Sequence, residues 1–259
     1  TTAVDLSAFD VGAGRGFLIT NHCRECVFGF AGDVNGDGVP DVAVGGVAWR
    51  RYEAPGSAYV VFGKSDPLPV DTSERTPQSL KIKADSPGGI WGGAVSAAGD
   101  VNGDGLGDVV VGIPKSYSCC HGKAAVVFGK TDTRTVRLDD LGSGGFQIEA
   151  SEERDFFGDD AAGIGDVNGD GLDDIAVGAP GHDYPDRGGP GAVFVIYGKK
   201  SRSTLRTGEL GEAGFMIVGR ESVDWTGTYL GVPRDVNGDG VPDLMISAPS
   251  GGNSYLLWL

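Results

Sequence analysis

Apolar residues in this chain fall in short runs that alternate with small or polar positions and end in glycine, proline or asparagine. Examples are "DVAVGG", "DVVVGIP", "DIAVGAP" and "DLMISAP", then "GSAYVVFGK", "GKAAVVFGK", "GAVFVIYGK" and "GNSYLLWL". Alternation of this kind, closed by turn residues, predicts β-strands, and segments with a helical period are scarce. The longest runs, such as Val193–Tyr197, read as buried strands; none nears the roughly 18–20 apolar residues that span a bilayer. The pattern predicts an all-β chain with no membrane insertion.

The strands recur in a fixed order. The hexapeptide "DVNGDG" stands at 33–38, 100–105, 166–171 and 235–240, at spacings of 67, 66 and 69 residues. Before each copy comes an aromatic–glycine signal ("VFGF", "IWGG", "FFGD", "DWTG") on a strand A. After it come strand B and strand C, and a "GF-I"-type strand D ("GFLIT", "LKIKA", "GFQIEA", "GFMIVG") precedes each aromatic signal. Four short strands per repeat is the content of a propeller blade. The repeats are bounded at about 21–84, 85–150, 151–220 and 221–259, within one domain spanning 1–259. Seven blades would leave only 37 residues each, which the spacing excludes, so the chain is either a four-bladed ring or part of a larger one. The first D strand stands alone within residues 1–20, and "VDLSAFDVGAGRGFLI" aligns with the connector "VRLDDLGSGGFQI". This predicts a β-propeller of four blades, each of four antiparallel strands, closed by the N-terminal strand beside Ser254–Leu259 so that no sheet edge is left exposed.

Each acidic loop reads Asp-x-Asn-x-Asp-Gly-x-x-Asp. The candidate ligands are Asp33, Asn35, Asp37 and Asp41; Asp100, Asn102, Asp104 and Asp108; Asp166, Asn168, Asp170 and Asp174; and Asp235, Asn237, Asp239 and Asp243. Val39, Leu106, Leu172 and Val241 add a backbone carbonyl at the seventh position. An all-oxygen set with three carboxylates suits Ca²⁺ better than Mg²⁺, and about four ions per chain are expected. An EF-hand would need a glutamate at the twelfth position between helices; Val44, Val111, Val177 and Ile246 stand there, inside strands. A metal-free Asp/Asn/Gly turn is the plainer reading of one such loop, but four matching copies favour metal. Affinity is expected in the weak extracellular range, with Kd on the order of 10⁻⁴–10⁻³ M, and the ions' role is chiefly structural.

These words resemble the FG-GAP repeat of integrin alpha-subunit β-propellers. "FFGDDAAGIGDVNGDGLDDIAVGAP" at 156–180 is the cleanest copy, while the first, second and fourth repeats depart from Gly-Ala-Pro with Gly-Gly, Gly-Ile-Pro and Ser-Ala-Pro. The resemblance implies a secreted or cell-surface binding or adhesion module that presents its non-calcium face to a glycan or protein ligand.

Charge refines the picture. The net charge is −15, and a single basic pair, Arg50–Arg51, stands out, so nucleic acid is a poor partner. That pair belongs to "AWRRYEAPG", which with Trp49 and Tyr52, and with Tyr117 and Tyr184 in the next B–C loops, forms the candidate ligand-binding set opposite the acidic loops. Cys23, Cys26, Cys119 and Cys120 fall on that same face and are disulfide candidates; with His22 and His121 beside them, zinc is the alternative. The acid pairs Glu152–Glu153 and Asp159–Asp160 read as solvated loop charges, and no catalytic motif is present. A hydrolase or lyase with a pocket on the non-calcium face, and an assembly unit of a larger surface protein, are the other function classes.

Overall fold

The computed structural model describes residues 16–20, 26–46, 57–73, 76–84, 94–114, 121–231 and 235–259. A lone strand β1 (Ile19–Thr20) precedes the first repeat. That repeat holds β2 (Cys26–Gly32), β3 (Asp41–Gly46), β4 (Ser57–Val61), a two-residue connector β5 (Val70–Asp71) and β6 (Ser79–Lys83). The second holds β7 (Val95–Gly99), β8 (Asp108–Ile113), β9 (His121–Val127), connector β10 (Val136–Arg137) and β11 (Gly145–Glu153). The third holds β12 (Ala161–Gly165), β13 (Asp174–Ala179), β14 (Ala192–Ile196), connector β15 (Leu205–Arg206) and β16 (Gly214–Val218). The fourth holds β17 (Leu230–Gly231), β18 (Leu244–Ala248) and β19 (Asn253–Leu257).

In every repeat strand A pairs antiparallel with B and B with C, and in the first three C pairs with D. The result is an all-β fold of successive propeller blades. The first three A–B ladders each slip by one residue beside a glycine in the left-handed region, at Gly32, Gly99 and Gly165 (φ 77°, 83° and 70°). Such a bulge bends the strand just before the acidic loop, and only glycine adopts that φ without strain.

The core lies between blades. Ala43, Val60 and Leu80 of the first blade pack on Val109, Val111 and Val127 of the second. Val126, Phe146 and Ile148 of the second meet Phe157, Ile175 and Phe194 of the third. A third cluster joins Val193 and Val195 to Leu244 and Ile246. The four A strands line one cavity of about 690 Å³, with Phe28, Ser96, Asp160 and Tyr229 on its wall.

Ring closure by the N-terminal strand is not what the structure shows. Strand β1 pairs parallel with β5, Ile19 opposite Val70, and the outer edge of β19 carries no fourth strand among the described residues. Packing holds β1 on the first blade: Phe17 and Ile19 cover Val44, Val61 and Val70, which are almost wholly buried. Two backbone bonds hold the pair, Val70 N–H to the Leu18 carbonyl at 2.8 Å and Thr72 N–H to that of Thr20 at 3.0 Å. The register matches that of Ile82 with Val136 and of Ile148 with Leu205, where a D strand meets the next blade's connector. Strand β1 thus has the expected D-strand type and meets the connector as the other D strands do, but the expected pairing beside Ser254–Leu259 is not formed among the described residues.

Candidate metal centres

Each acidic loop joins strands A and B at the same end of its blade, and the four are built alike. Asp33 accepts the N–H groups of Gly36 (2.8 Å), Asp37 (3.1 Å) and Gly38 (2.8 Å). Asp100, Asp166 and Asp235 do the same in their copies. Gly36 and Gly38 have φ of 75° and 83°, and the corresponding glycines of the other loops fall between 75° and 93°. The turn that folds the loop around its first aspartate thus needs glycine at both places. In every copy the Asn side chain donates to the third-ligand aspartate, as Asn35 Nδ2 does to Asp37 at 2.8 Å. That aspartate also accepts the N–H of the seventh residue, Val39, Leu106, Leu172 or Val241.

The ninth-position aspartates Asp41, Asp108, Asp174 and Asp243 open strand B and are buried. One oxygen of each accepts the N–H of the loop's second residue (Val34, Val101, Val167, Val236). In the first three copies the other accepts from the glycine that ends strand C (Gly63, Gly129, Gly198). In the fourth, Oδ1 of Asp243 is buried with no partner. Burial pushes Asp41 and Asp174 above the usual carboxylate range and Asp108 up to about 7, against the lowering by their backbone bonds. The other two aspartates of the same loop add repulsion in the same direction.

Among the described residues no three acidic, histidine or cysteine side chains already converge as a metal cluster. The loops nevertheless fit a hard cation by the chemistry of their donors. All are oxygen, carboxylates repel one another within one turn, and Asp243 offers a buried oxygen with nothing bound to it. Asp, Asn, Asp and Asp of each loop, with the seventh carbonyl, are the groups that would hold Ca²⁺. Bound there, the ion would neutralise those carboxylates and tie the A–B hairpin.

At the opposite end of the strands the picture is partial. Trp49, Arg50, Arg51, Tyr52 and Tyr117 lie outside the described residues, as do Cys23, Cys119 and Cys120, while Cys26 opens β2. Tyr184 stands on the β13–β14 loop, partly exposed, with the Arg187 guanidinium 5.4 Å from its ring centre. Nearby, Phe156 and Trp225 bring their rings to 5.8 Å across the third and fourth blades. Arg154, Phe156, Val223 and Trp225 all adopt positive φ (57–64°), an uncommon and costly conformation for non-glycine residues. Phe156 and Trp225 are absent from the sequence-derived set, although "FFGD" and "DWTG" mark them, because the words also announce strand A.

The acid pair Asp159–Asp160 departs from its reading as solvated charge. Both line the cavity between the A strands, and burial raises both. Asp160 accepts the N–H of Leu230 in the next blade at 2.7 Å.

The FG-GAP repeat model of the protein families matches residues 91–128, 157–196 and 228–258. Integrin alpha pat-2 of Caenorhabditis elegans is 29% identical over 235 residues, 87% of this chain and 18% of that protein. Integrin alpha-PS5 of Drosophila melanogaster is 32% identical over 175 residues, 65% of this chain and 16% of that protein. Phosphatidylinositol-glycan-specific phospholipase D of Bos taurus is 35% identical over 164 residues, 61% of this chain and 18% of that protein. The chain therefore spans less than a fifth of the length of these relatives. No helix among the described residues is long and apolar enough to cross a membrane.

Proposed function

Since the chain belongs to the integrin alpha-like FG-GAP family, we propose that it is a calcium-stabilised β-propeller module for binding or adhesion at the cell surface or in the secreted space. The observation that carries this reading is the fourfold identity of the acidic loops, each folding Asp, Asn and Asp oxygens around two left-handed glycines. About four Ca²⁺ per chain brace the A–B hairpins and lower the net charge from −15 to about −7.

The ligand, an extracellular glycan or protein, is taken at the end opposite the acidic loops. Its contacts come from Trp49, Arg50, Arg51, Tyr52 and Tyr117, joined by Tyr184, Arg187 and Trp225. Aromatic rings and arginines supply large contact area and directional charge, a composition common to binding hot spots. Cysteines 23, 26, 119 and 120 form disulfides in that oxidising setting. The test is a screen of the calcium-loaded protein against immobilised glycans and extracellular matrix proteins. Saturable retention lost in an Arg50→Ala/Arg51→Ala variant that still melts normally supports the reading, and retention unchanged in that variant removes the assigned face. The phospholipase D relative supports a second reading, a hydrolase. Steady turnover of an ester or phosphodiester panel by the purified chain would replace the first with it.

A further inference from the structure

A cavity of about 710 Å³ opens between the second and third blades at the acidic-loop end, remote from the proposed ligand face. Its volume lies in the range of small-molecule sites. Phe128, Val136 and Leu141 give it an apolar wall, and Lys and Arg side chains outnumber aspartates around it, five to three. In a chain of net charge −15 that balance is locally inverted.

The cations are of two kinds. One is part of the repeat: Lys64, Lys130 and Lys199 each donate to the backbone carbonyl four residues later, a brace for the C–D loop. Arg137 recurs as Arg206 in the third blade, whereas Arg134, Lys200 and Arg202 are particular to this place. The three C–D loops read "FGKSDPLPVD", "FGKTDTRTVR" and "YGKKSRSTLR", so Arg134, Lys200 and Arg202 have Leu68, Ser65 and Pro67 as counterparts in the first blade. Lys200 and Arg202 make no bond within the repeat among the described residues.

Asp132 accepts Lys130 Nζ at 2.8 Å and Arg134 Nε and Nη2 at 3.0 and 2.8 Å, fixing both cations on one wall. These bonds hold its carboxyl well below the usual range, so it stays ionised. Arg134 still has three of its five N–H donors to offer. Across from it, Lys200 and Arg202 are exposed and have no ion-pair partner among the described residues. Two pinned and two unpaired cations around an apolar wall suit an oxyanion on a small ring, since charged forks and ammonium groups bind such groups by charge-assisted bonds.

We propose that this cavity binds a monosaccharide-sized ligand carrying a sulfate or phosphate group. The probes are a hexose 6-sulfate, the same hexose 6-phosphate and the unsubstituted hexose, titrated calorimetrically in calcium-containing chloride buffer of low ionic strength. Binding of one or both charged sugars, with none of the neutral one, is expected, and the better of the two identifies the anion. Lys200→Ala/Arg202→Ala should weaken it at least about tenfold while leaving the melting temperature and calcium uptake unchanged. Arg134→Ala should weaken it independently. Absence of binding by both charged sugars at about 10 mM, a concentration far above useful affinity, would overturn the proposal, as would undiminished binding in the double variant. Failure of the adhesion screen would leave this result untouched, because the two sites lie at opposite ends of the strands.

Discussion

Gly178 of the third blade stands so close to Gly227 of the fourth that a Cβ on Gly178 would lie 2.0 Å from the Gly227 carbonyl oxygen. One interface earlier, Gly112 meets the carbonyl of Gly158 in the same way, at 2.1 Å. The glycine after strand A's aromatic also bonds within its own blade, Gly158 N–H to the Gly178 carbonyl at 2.9 Å and Gly227 N–H to that of Ser247 at 2.9 Å. The two glycines that define the repeat are therefore the points where one blade's B strand touches the next blade's A turn, backbone against backbone.

Gly178→Ala should part the third and fourth blades, because backbone on both sides leaves no flexible atom to move. Overpacking of this kind costs about 1–3 kcal/mol, which at this size lowers the melting temperature by roughly 2–12 °C. Thermal melts of the variant beside the parent in calcium measure it. An unchanged melt would mean that the blades do not meet this closely.

The same contacts show what was legible in the sequence. Strand order, strand type and the acidic loops could be read because each is local: alternation, turn glycines and four copies of one hexapeptide. The pairing of β1 could be read only in part, because a D strand takes a C strand on one edge and the next blade's connector on the other, and β1 forms the connector side alone. Burial of Val44, Val61 and Val70 under Phe17 and Ile19 holds that side, and it is a contact between distant residues. Asp160 was misread for a like reason: adjacent acids look solvated until the next blade places Leu230 N–H against one of them. Phe156 and Trp225 were visible as words but not as a surface, since pairing across two blades leaves no trace in either repeat alone.

Removal of metal should be costly. Four weak sites at millimolar calcium can contribute up to about 6 kcal/mol, so EDTA is expected to lower the melting temperature by more than about 10 °C. Asp104→Asn should reduce the number of ions bound by one in a calcium titration and leave the other loops intact. An identical melt with and without chelator would refute the structural role of the loops.

Strand β1 should matter to the first blade alone. Ile19→Ala removes part of the cover over Val44, Val61 and Val70, and a half-buried truncation of this sort costs about 1–2 kcal/mol. Hydrogen exchange should then quicken in β3, β4 and β5 but not in the third blade. Uniform protection in parent and variant would place β1 elsewhere in solution.

Acidity should act through Asp155, which is nearly fully buried at the turn into strand A, with one oxygen accepting Phe157 N–H and the other unpartnered. Desolvation, foremost, raises its pKa to about 6, with Glu152 adding repulsion and the Phe157 bond opposing. A carboxyl raised in the folded state binds its proton more tightly there than in the unfolded chain. Its contribution is therefore most favourable below the unfolded value near 3.8 and is lost as pH rises towards 6. Over the span from 3.8 to about 6 the loss amounts to about 3 kcal/mol. Asp155→Asn keeps an acceptor for Phe157 and removes the buried charge. The variant should melt several degrees higher than the parent at pH 7, and the two curves should converge near pH 4. Parallel melting curves across that range in calcium buffer would show that Asp155 does not titrate as its burial requires.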